Sequence, residues 1–486
     1  MTKRKSPIPL YFTSLEIENV RCFGDSQPLR LADENGRPVR WTLILGDNGV
    51  GKTTLLQCLA WMRPAPEDPQ LRNAWHPSES GPQESYDDSD EPEPLVEGKL
   101  GCALLTEEND VLESLLRLGS NKSLTLSAKL SSGEVLRSCG NNAEGRATHG
   151  KTIDTSIRLR FDSKGGLLGD EYPRQTNIKT LGGTFVEPLV VTYGANRLLG
   201  KRNLSKGELV VPIAARLSDV TELYDMEEIL GSLDYASVKN KNSPEHRYLV
   251  LLKDALSKIL PGDFEADDIR IDPPDVLDQS REASGVRLKT FSGLVPLSAL
   301  SLGYQTTLAW TADLAWRLQK HYPDSLNPLA EPAVVLIDEI DLHLHPLWQL
   351  RIVDDLSEVF SGTQFVATAH SPLMVQVAET ANLVLLRKRK DDVEIIEPDV
   401  VRNWRVDQIL MSVLFGIPRG RNKATEDLFK RRDDLVDKPL RSAAEEAELR
   451  QLRDKISKLP TAQHPDDQDA MDFIRTAAAR LKKHET

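Results

Sequence analysis

The chain opens on a strand-like alternation in which Leu15, Ile17 and Val20 are apolar between polar neighbours. It then runs through Trp41-Thr-Leu-Ile-Leu45 into a glycine-rich turn, followed by a helical pattern over 52–62. From Pro64 to Glu97 the pattern dissolves into Pro, Ser, Asp and Glu, which reads as a solvated, flexible insertion. Residues 98–190 read as short strands separated by Gly, Asn and Ser turns, and 206–262 as helices. A second patterned block covers about 286–390. It holds a helix over 304–319, the apolar run AVVLID, a helix near 348–360, the run QFVATA and a closing strand pair around 388–390. The remainder is mostly helical: Val406, Ile409, Leu410 and Val413 share an apolar face, and Ser442-Ala-Ala-Glu445 forms a capping box opening EEAELRQLRDKISKL.

Composition narrows the class. At 486 residues the chain exceeds what one core usually accommodates, so two or three packed units are expected. Cys22, Cys58, Cys102 and Cys139 are scattered without CxxC pairing, which fits a reducing cytosol and suggests neither a disulfide framework nor a zinc site. No apolar run approaches the ~20 residues that span a bilayer, and the N-terminus lacks a signal-like apolar core. A cytoplasmic protein is expected. The net charge of −13 argues against coating DNA through phosphate contacts, but leaves DNA contact through local basic patches open.

Two motifs carry chemistry. Gly46-Asp47-Asn48-Gly49-Val50-Gly51-Lys52-Thr53 fits G-x-x-x-x-G-K-[ST], with an apolar strand before it and a helical pattern after it. Phosphates need converging backbone N–H groups at a helix N-terminus, and glycines let the backbone approach. Lys52 would reach the β- and γ-phosphates and Thr53 would hold Mg²⁺, with Thr54 completing the nucleotide-binding set. Ala333-Val-Val-Leu-Ile-Asp338-Glu339 is an apolar run ending in two acids, as a buried parallel strand presents carboxylates to a metal. Asp338 would orient the Mg²⁺ shell and Glu339 would polarise the attacking water. ATP and Mg²⁺ are the expected cofactors.

Further segments carry a resemblance. Leu300-Ser301-Leu302-Gly303-Tyr304-Gln305 before a helix resembles the LSGGQ-type signature of ABC ATPases, Asp341 resembles their D-loop, and His370 in ATAHSP resembles their switch histidine. Glu18-Asn-Val-Arg21-Cys-Phe23 resembles the N-x-R-x-F segment of RecF-, Rad50- and SMC-like ATPases, where the arginine lies near the phosphates. The chain thus resembles ABC-type ATPases of the RecF/SMC/OLD-like group. That resemblance implies an α/β fold: a P-loop NTPase sheet with flanking helices and an antiparallel β subdomain, a helical insertion and a helical C-terminal extension. The expected divisions are an N-terminal lobe with the P-loop at 1–63, the acidic insertion at 64–97 and a β-rich remainder at 98–200. A mainly helical insertion at 201–285, a C-terminal lobe at 286–400 and a helical extension at 401–486 follow.

The same resemblance implies that Ser301 and Gly303 serve the nucleotide of a second copy, so a homodimer or higher even-numbered oligomer is expected. Tyr193-Gly-Ala-Asn-Arg197 is similar to a Y-G-A-x-R element of stand-alone bacterial ATPases, has no assigned role, and leaves the Q-loop glutamine unplaced. His343-Leu-His345 reads as a surface or packing element because no third ligand is evident. Arg387-Lys-Arg-Lys390 reads as a solvated hairpin turn. Without sustained heptads a long coiled-coil arm is excluded. The DxD Asp467-Gln-Asp469 is not at a strand end, so nuclease chemistry is not expected in this chain. The pattern resembles Septu-type anti-phage ATPase subunits, which work with a separate HNH nuclease; this implies a sensor or regulatory subunit. The alternatives are a RecF-like DNA repair or loading ATPase and, behind it, an OLD-like nuclease.

Overall fold

The continuous apolar runs Trp41–Gly46, Ala333–Ile337 and Thr363–Thr368 become neighbouring strands of one six-stranded sheet and are buried almost throughout. Strands covered on both faces lose the in–out alternation of half-buried ones, which is why these segments read as unbroken apolar stretches. The computed structural model describes residues 10–66, 100–102, 114–116, 123–132, 152–161, 167–171, 189–202, 221–262, 264–272, 285–377, 381–398, 404, 406–412, 414–415, 423–438 and 440–457. Asp467 and Asp469 and nearly all of the acidic insertion lie outside these described residues.

Across the sheet the order is Asp392–Ile396, Asn382–Arg389, Trp41–Gly46, Thr363–Thr368, Ala333–Ile337, Val190–Tyr193. All neighbours are parallel except the first pair, an antiparallel hairpin. That hairpin contains the basic run Arg387-Lys-Arg-Lys390: Arg389 pairs with Glu394 at 2.8 Å, and Lys390 takes the left-handed turn position at φ 38°. Ligands of open parallel sheets collect at the carboxyl ends of the strands. Here three adjacent strands end side by side on Gly46, Thr368 and Ile337, so three distant sequence segments share one edge.

A second, antiparallel sheet has the order Gln27–Arg30, Leu10–Glu18, Ser123–Ser132, Thr152–Phe161, Leu167–Glu171. The helix Lys52–Trp61 shares one buried cluster with both sheets, joining Leu55, Leu59 and Trp61 to Leu15, Leu126 and Ile157 and to Val334 and Val366. It is apolar around most of its circumference, as a helix covered on two sides must be. Gln364 stitches the two sheets directly. Its Nε2 donates to Phe12 O at 2.8 Å, and its Oε1 accepts from Phe12 N at 2.9 Å.

Helices Met226–Lys239 and Pro244–Ile259 are both capped as their sequences suggest: Asp225 accepts from Glu227 N and Glu228 N, and Ser243 accepts from His246 N with Pro244 following. A small antiparallel sheet, Ile269–Asp272, Gly285–Thr290 and Gly293–Pro296, follows them, so this stretch is not helical throughout. It leads into the long helix Leu302–His321, which packs on both preceding helices and on the strands Arg197–Arg202 and Thr221–Tyr224. The helix expected near 348–360 is broken into Pro346–Gln349 and Ile352–Val359. The described residues from Asp407 onward belong to a separate compact unit. In it the helices Lys423–Val436 and Ala443–Ser457 meet through Leu435, Val436, Leu449 and Leu452, and the Ser442–Glu445 capping box is formed in both directions.

Candidate nucleotide site

The P-loop conformation depends on its glycines. Gly46, Gly49 and Gly51 have φ of 147°, 76° and 90°, a region that side chains disfavour. Space is also limiting at two of them. A Cβ at Gly46 would lie 2.7 Å from Leu386 O, and one at Gly51 would lie 2.4 Å from Cys22 Sγ and 2.8 Å from the Phe23 ring. The helix Lys52–Trp61 therefore starts on Gly51 with no side-chain cap, leaving its first N–H groups available to an anion. Lys52 folds back over the loop and donates to Gly46 O and Asp47 O, both at 2.8 Å. Burial holds its pKa below the usual lysine value, against the opposing pull of Asp338, Glu339, Asp47 and Asp341.

Sheet order brings the second half of the site to this loop. Thr53 Oγ1 donates to Asp338 Oδ2 at 2.7 Å, across 285 residues of chain. Thr368 Oγ1 donates to Asp338 Oδ1 at 2.6 Å and accepts from Glu339 N at 2.8 Å, so one hydroxyl on the intervening strand holds the Asp338 carboxylate and the Glu339 backbone. Glu339 sits at φ 49° and is half-buried. Neither its carboxylate nor the His370 imidazole hydrogen-bonds to a described residue. Asp341 Oδ2 accepts from His370 N at 2.9 Å and Ser371 N at 2.6 Å, which ties the turn after one strand to the turn after the next. A hydroxyl and a carboxylate oxygen held this close suit Mg²⁺, which favours oxygen donors.

The remaining candidates are placed differently. Ser301 occupies the N-cap position of Leu302–His321, yet its hydroxyl makes no capping bond and is exposed. Gly303 is buried, and a Cβ there would lie 2.3 Å from His343 O. Glycine is needed because the first turn of this helix packs directly on the backbone after Asp341. No hydrogen bond among the described residues joins Ser301 or Gly303 to the P-loop. Arg21, at φ 46°, reaches the flank of the P-loop helix: it donates to Gln57 Oε1 at 2.6 Å and to the buried Thr54 Oγ1 at 3.2 Å. Phe23, from the same turn, is fully buried beneath Gly51. His345 Nδ1 accepts from Leu347 N at 3.3 Å as a helix cap, and among the described residues no cluster of three His, Cys, Asp or Glu side chains could hold a metal.

Reading by motif missed the residues that support this edge. Thr368 is one. Another group centres on Asp313, fully buried in the long helix. Its Oδ2 accepts from Tyr193 OH at 2.8 Å and Arg317 Nε at 2.7 Å, and its Oδ1 accepts from Tyr224 N at 2.9 Å. Burial raises the Tyr193 pKa well above its ordinary value, and Asp313 adds to the rise. The available signal was an acid inside the apolar face TLAWTADLAW with an arginine four residues on. Asp313→Ala would strand the Arg317 cation in the core and is expected to cost about 3–5 kcal/mol. A lowered urea midpoint would show it, and an unchanged midpoint would contradict the network.

Residues 218–375 match a sequence family described as "AAA domain, putative AbiEii toxin, Type IV TA system", and residues 14–63 match one described as "AAA domain". The first match contains Asp338, Glu339 and His370, and the second contains Gly46–Thr53. A retron Ec83 probable ATPase of Escherichia coli is 37% identical over 162 residues, 33% of this chain and 26% of its own length. The Septu protein PtuA of Bacillus mycoides (strain KBAB4) is 27% identical over 274 residues, 56% of this chain and 35% of its own. This chain resembles ABC-type ATPases, the Septu and retron ATPases among them. The chain spans only about a quarter to two fifths of the length of the curated relatives it matches. Among solved structures, the SMC head domain from Thermotoga maritima aligns with 80% of this chain and 99% of its own at a TM-score of 0.38 and 14% identity.

Proposed function

We propose that this chain binds and hydrolyses ATP at a site completed by a second copy, and that it serves as the regulatory subunit of an anti-phage complex. The observation that carries the catalytic part is the meeting of Thr53 and Asp338 at 2.7 Å beside the uncapped helix that starts at Lys52. Lys52 leaves its two loop carbonyls for the β- and γ-phosphates, and the N–H groups of 49–54 complete their cradle. Thr53 and Asp338 would hold Mg²⁺, which would supply charge neutralisation at the phosphates. Glu339 takes the proton of the attacking water, and His370 contacts the γ-phosphate.

Ser301 is the basis for the two-copy reading. An exposed hydroxyl at a helix start, unused by its own helix, is available to another molecule's phosphate. Ser301→Arg is expected to keep ATP binding and lose turnover. Mixing it with Lys52→Ala is the sharper experiment. A hybrid dimer pairs the intact P-loop of one chain with the intact Ser301 of the other, so an equal mixture should recover about a quarter of wild-type turnover. No recovery would sink the shared site.

The defence role rests on the resemblance to Septu and retron proteins. In it the ATP-clamped pair restrains a separate nuclease, of HNH type by that resemblance. Phage plating on cells carrying the native gene cluster, with and without Glu339→Gln in this chain, tests the role. Unchanged plating combined with new sensitivity to DNA damage would favour the RecF-like reading instead.

A further inference from the structure

The backbone that carries Glu339 does not hold its shape unaided. Leaving the strand at Ile337, it enters the left-handed region at Glu339, which costs a residue with a side chain roughly 1–2 kcal/mol. It also turns the carbonyls of Asp338 and Glu339 away from the sheet ladder, where they need donors. Glu339 O accepts from Leu342 N at 3.1 Å, and one side chain reaches both carbonyls. Arg197 Nη2 donates to Asp338 O and, at 3.0 Å, to Glu339 O, while its Nε donates to Gly194 O at 3.0 Å.

Arg197 opens the strand Arg197–Arg202, with three residues between it and Val190–Tyr193, the strand flanking Ala333–Ile337 on the side away from the P-loop. It is 8% exposed, and burial lowers its pKa to about 10, which leaves it a cation at neutral pH. These three bonds go to main-chain carbonyls rather than to a carboxylate, so their contribution is to backbone geometry. The same segment is keyed to the helix that follows Ser301. The Arg197 guanidinium lies 6.0 Å from the Trp310 ring, the Tyr193 ring lies 5.4 Å from it, and Tyr193 OH reaches Asp313.

We propose that Arg197 is a positioning residue for hydrolysis: its fork fixes the Asp338–Glu339 backbone, and so the aim of the Glu339 carboxylate, relative to the signature helix. The turnover arm of this proposal rests on the ATPase reading above. Lysine keeps the charge but not the planar fork, so it cannot serve three carbonyls in the same geometry.

Arg197→Lys in the full chain is expected to lower kcat about tenfold or more while changing the Kd for ATP by no more than about twofold. Added to Glu339→Gln it should produce little further loss, because both act on one group. Amide exchange supplies a readout independent of turnover. Protection should fall in 338–342 and stay unchanged in 46–56. Arg197→Gln, which keeps amide donors without a buried charge, is read the same way if the lysine variant does not accumulate. Wild-type kcat with unchanged exchange would overturn the proposal. So would a loss spread evenly over exchange, ATP binding and melting temperature, which would make Arg197 an ordinary core residue. A wild-type chain that fails to hydrolyse ATP would refute the ATPase reading, and the clamp would then stand or fall on the exchange pattern.

Discussion

Lys52→Ala is expected to abolish ATP binding, raising Kd by at least about a hundredfold, which corresponds to about 2.7 kcal/mol. A bond from an ammonium to phosphate is charge-assisted and contributes about 1.5–3 kcal/mol alone. The fold should survive, because the partners given up are two P-loop carbonyls, Gly46 O and Asp47 O, rather than a core acid. Burial already disfavours the charged side chain, so its removal also relieves a desolvation cost. Calorimetric titration with ATP and Mg²⁺ measures the effect, and thermal melting checks the fold. Binding retained within a few-fold would show that the P-loop does not hold the nucleotide as proposed.

Glu339→Gln should give the opposite profile, with ATP bound normally and turnover slowed by about 10²–10⁴. The reason is local. Glu339 is held by its backbone N–H on Thr368 and its backbone carbonyl on Arg197, and glutamine keeps both. Asp338, the proposed metal-side acid, keeps its two threonine donors. Only proton acceptance is lost. Single-turnover hydrolysis beside equilibrium binding separates the outcomes: turnover at the wild-type rate would refute the base assignment, and loss of binding as well would assign Glu339 a structural role.

The parts of the fold readable in the sequence are those whose cause is local. Trp41–Gly46, Ala333–Ile337 and Thr363–Thr368 announced themselves because doubly covered strands are continuously apolar. The P-loop was readable because its three left-handed glycines, lysine and threonine lie within eight residues. What stayed hidden was set by neighbours in space. Leu10–Glu18 pairs with Ser123–Ser132, which alternation can suggest as a strand but cannot assign to a partner. Arg197 stood in a noticed segment, yet its role follows only once Val190–Tyr193 lies beside Ala333–Ile337. Thr368 became informative only when its strand was found between the two halves of the site. Arg21 was legible as a motif, but its contacts with Thr54 and Gln57 depend on a left-handed turn at a non-glycine residue.

The seating of Gly303 on the His343 carbonyl leaves no slack between the helix that begins at Ser301 and the turn that begins at Asp341. That turn in turn grips the backbone of His370. In the proposed pair, a nucleotide tugging on Ser301 of one chain would therefore be felt at that chain's own γ-phosphate contact.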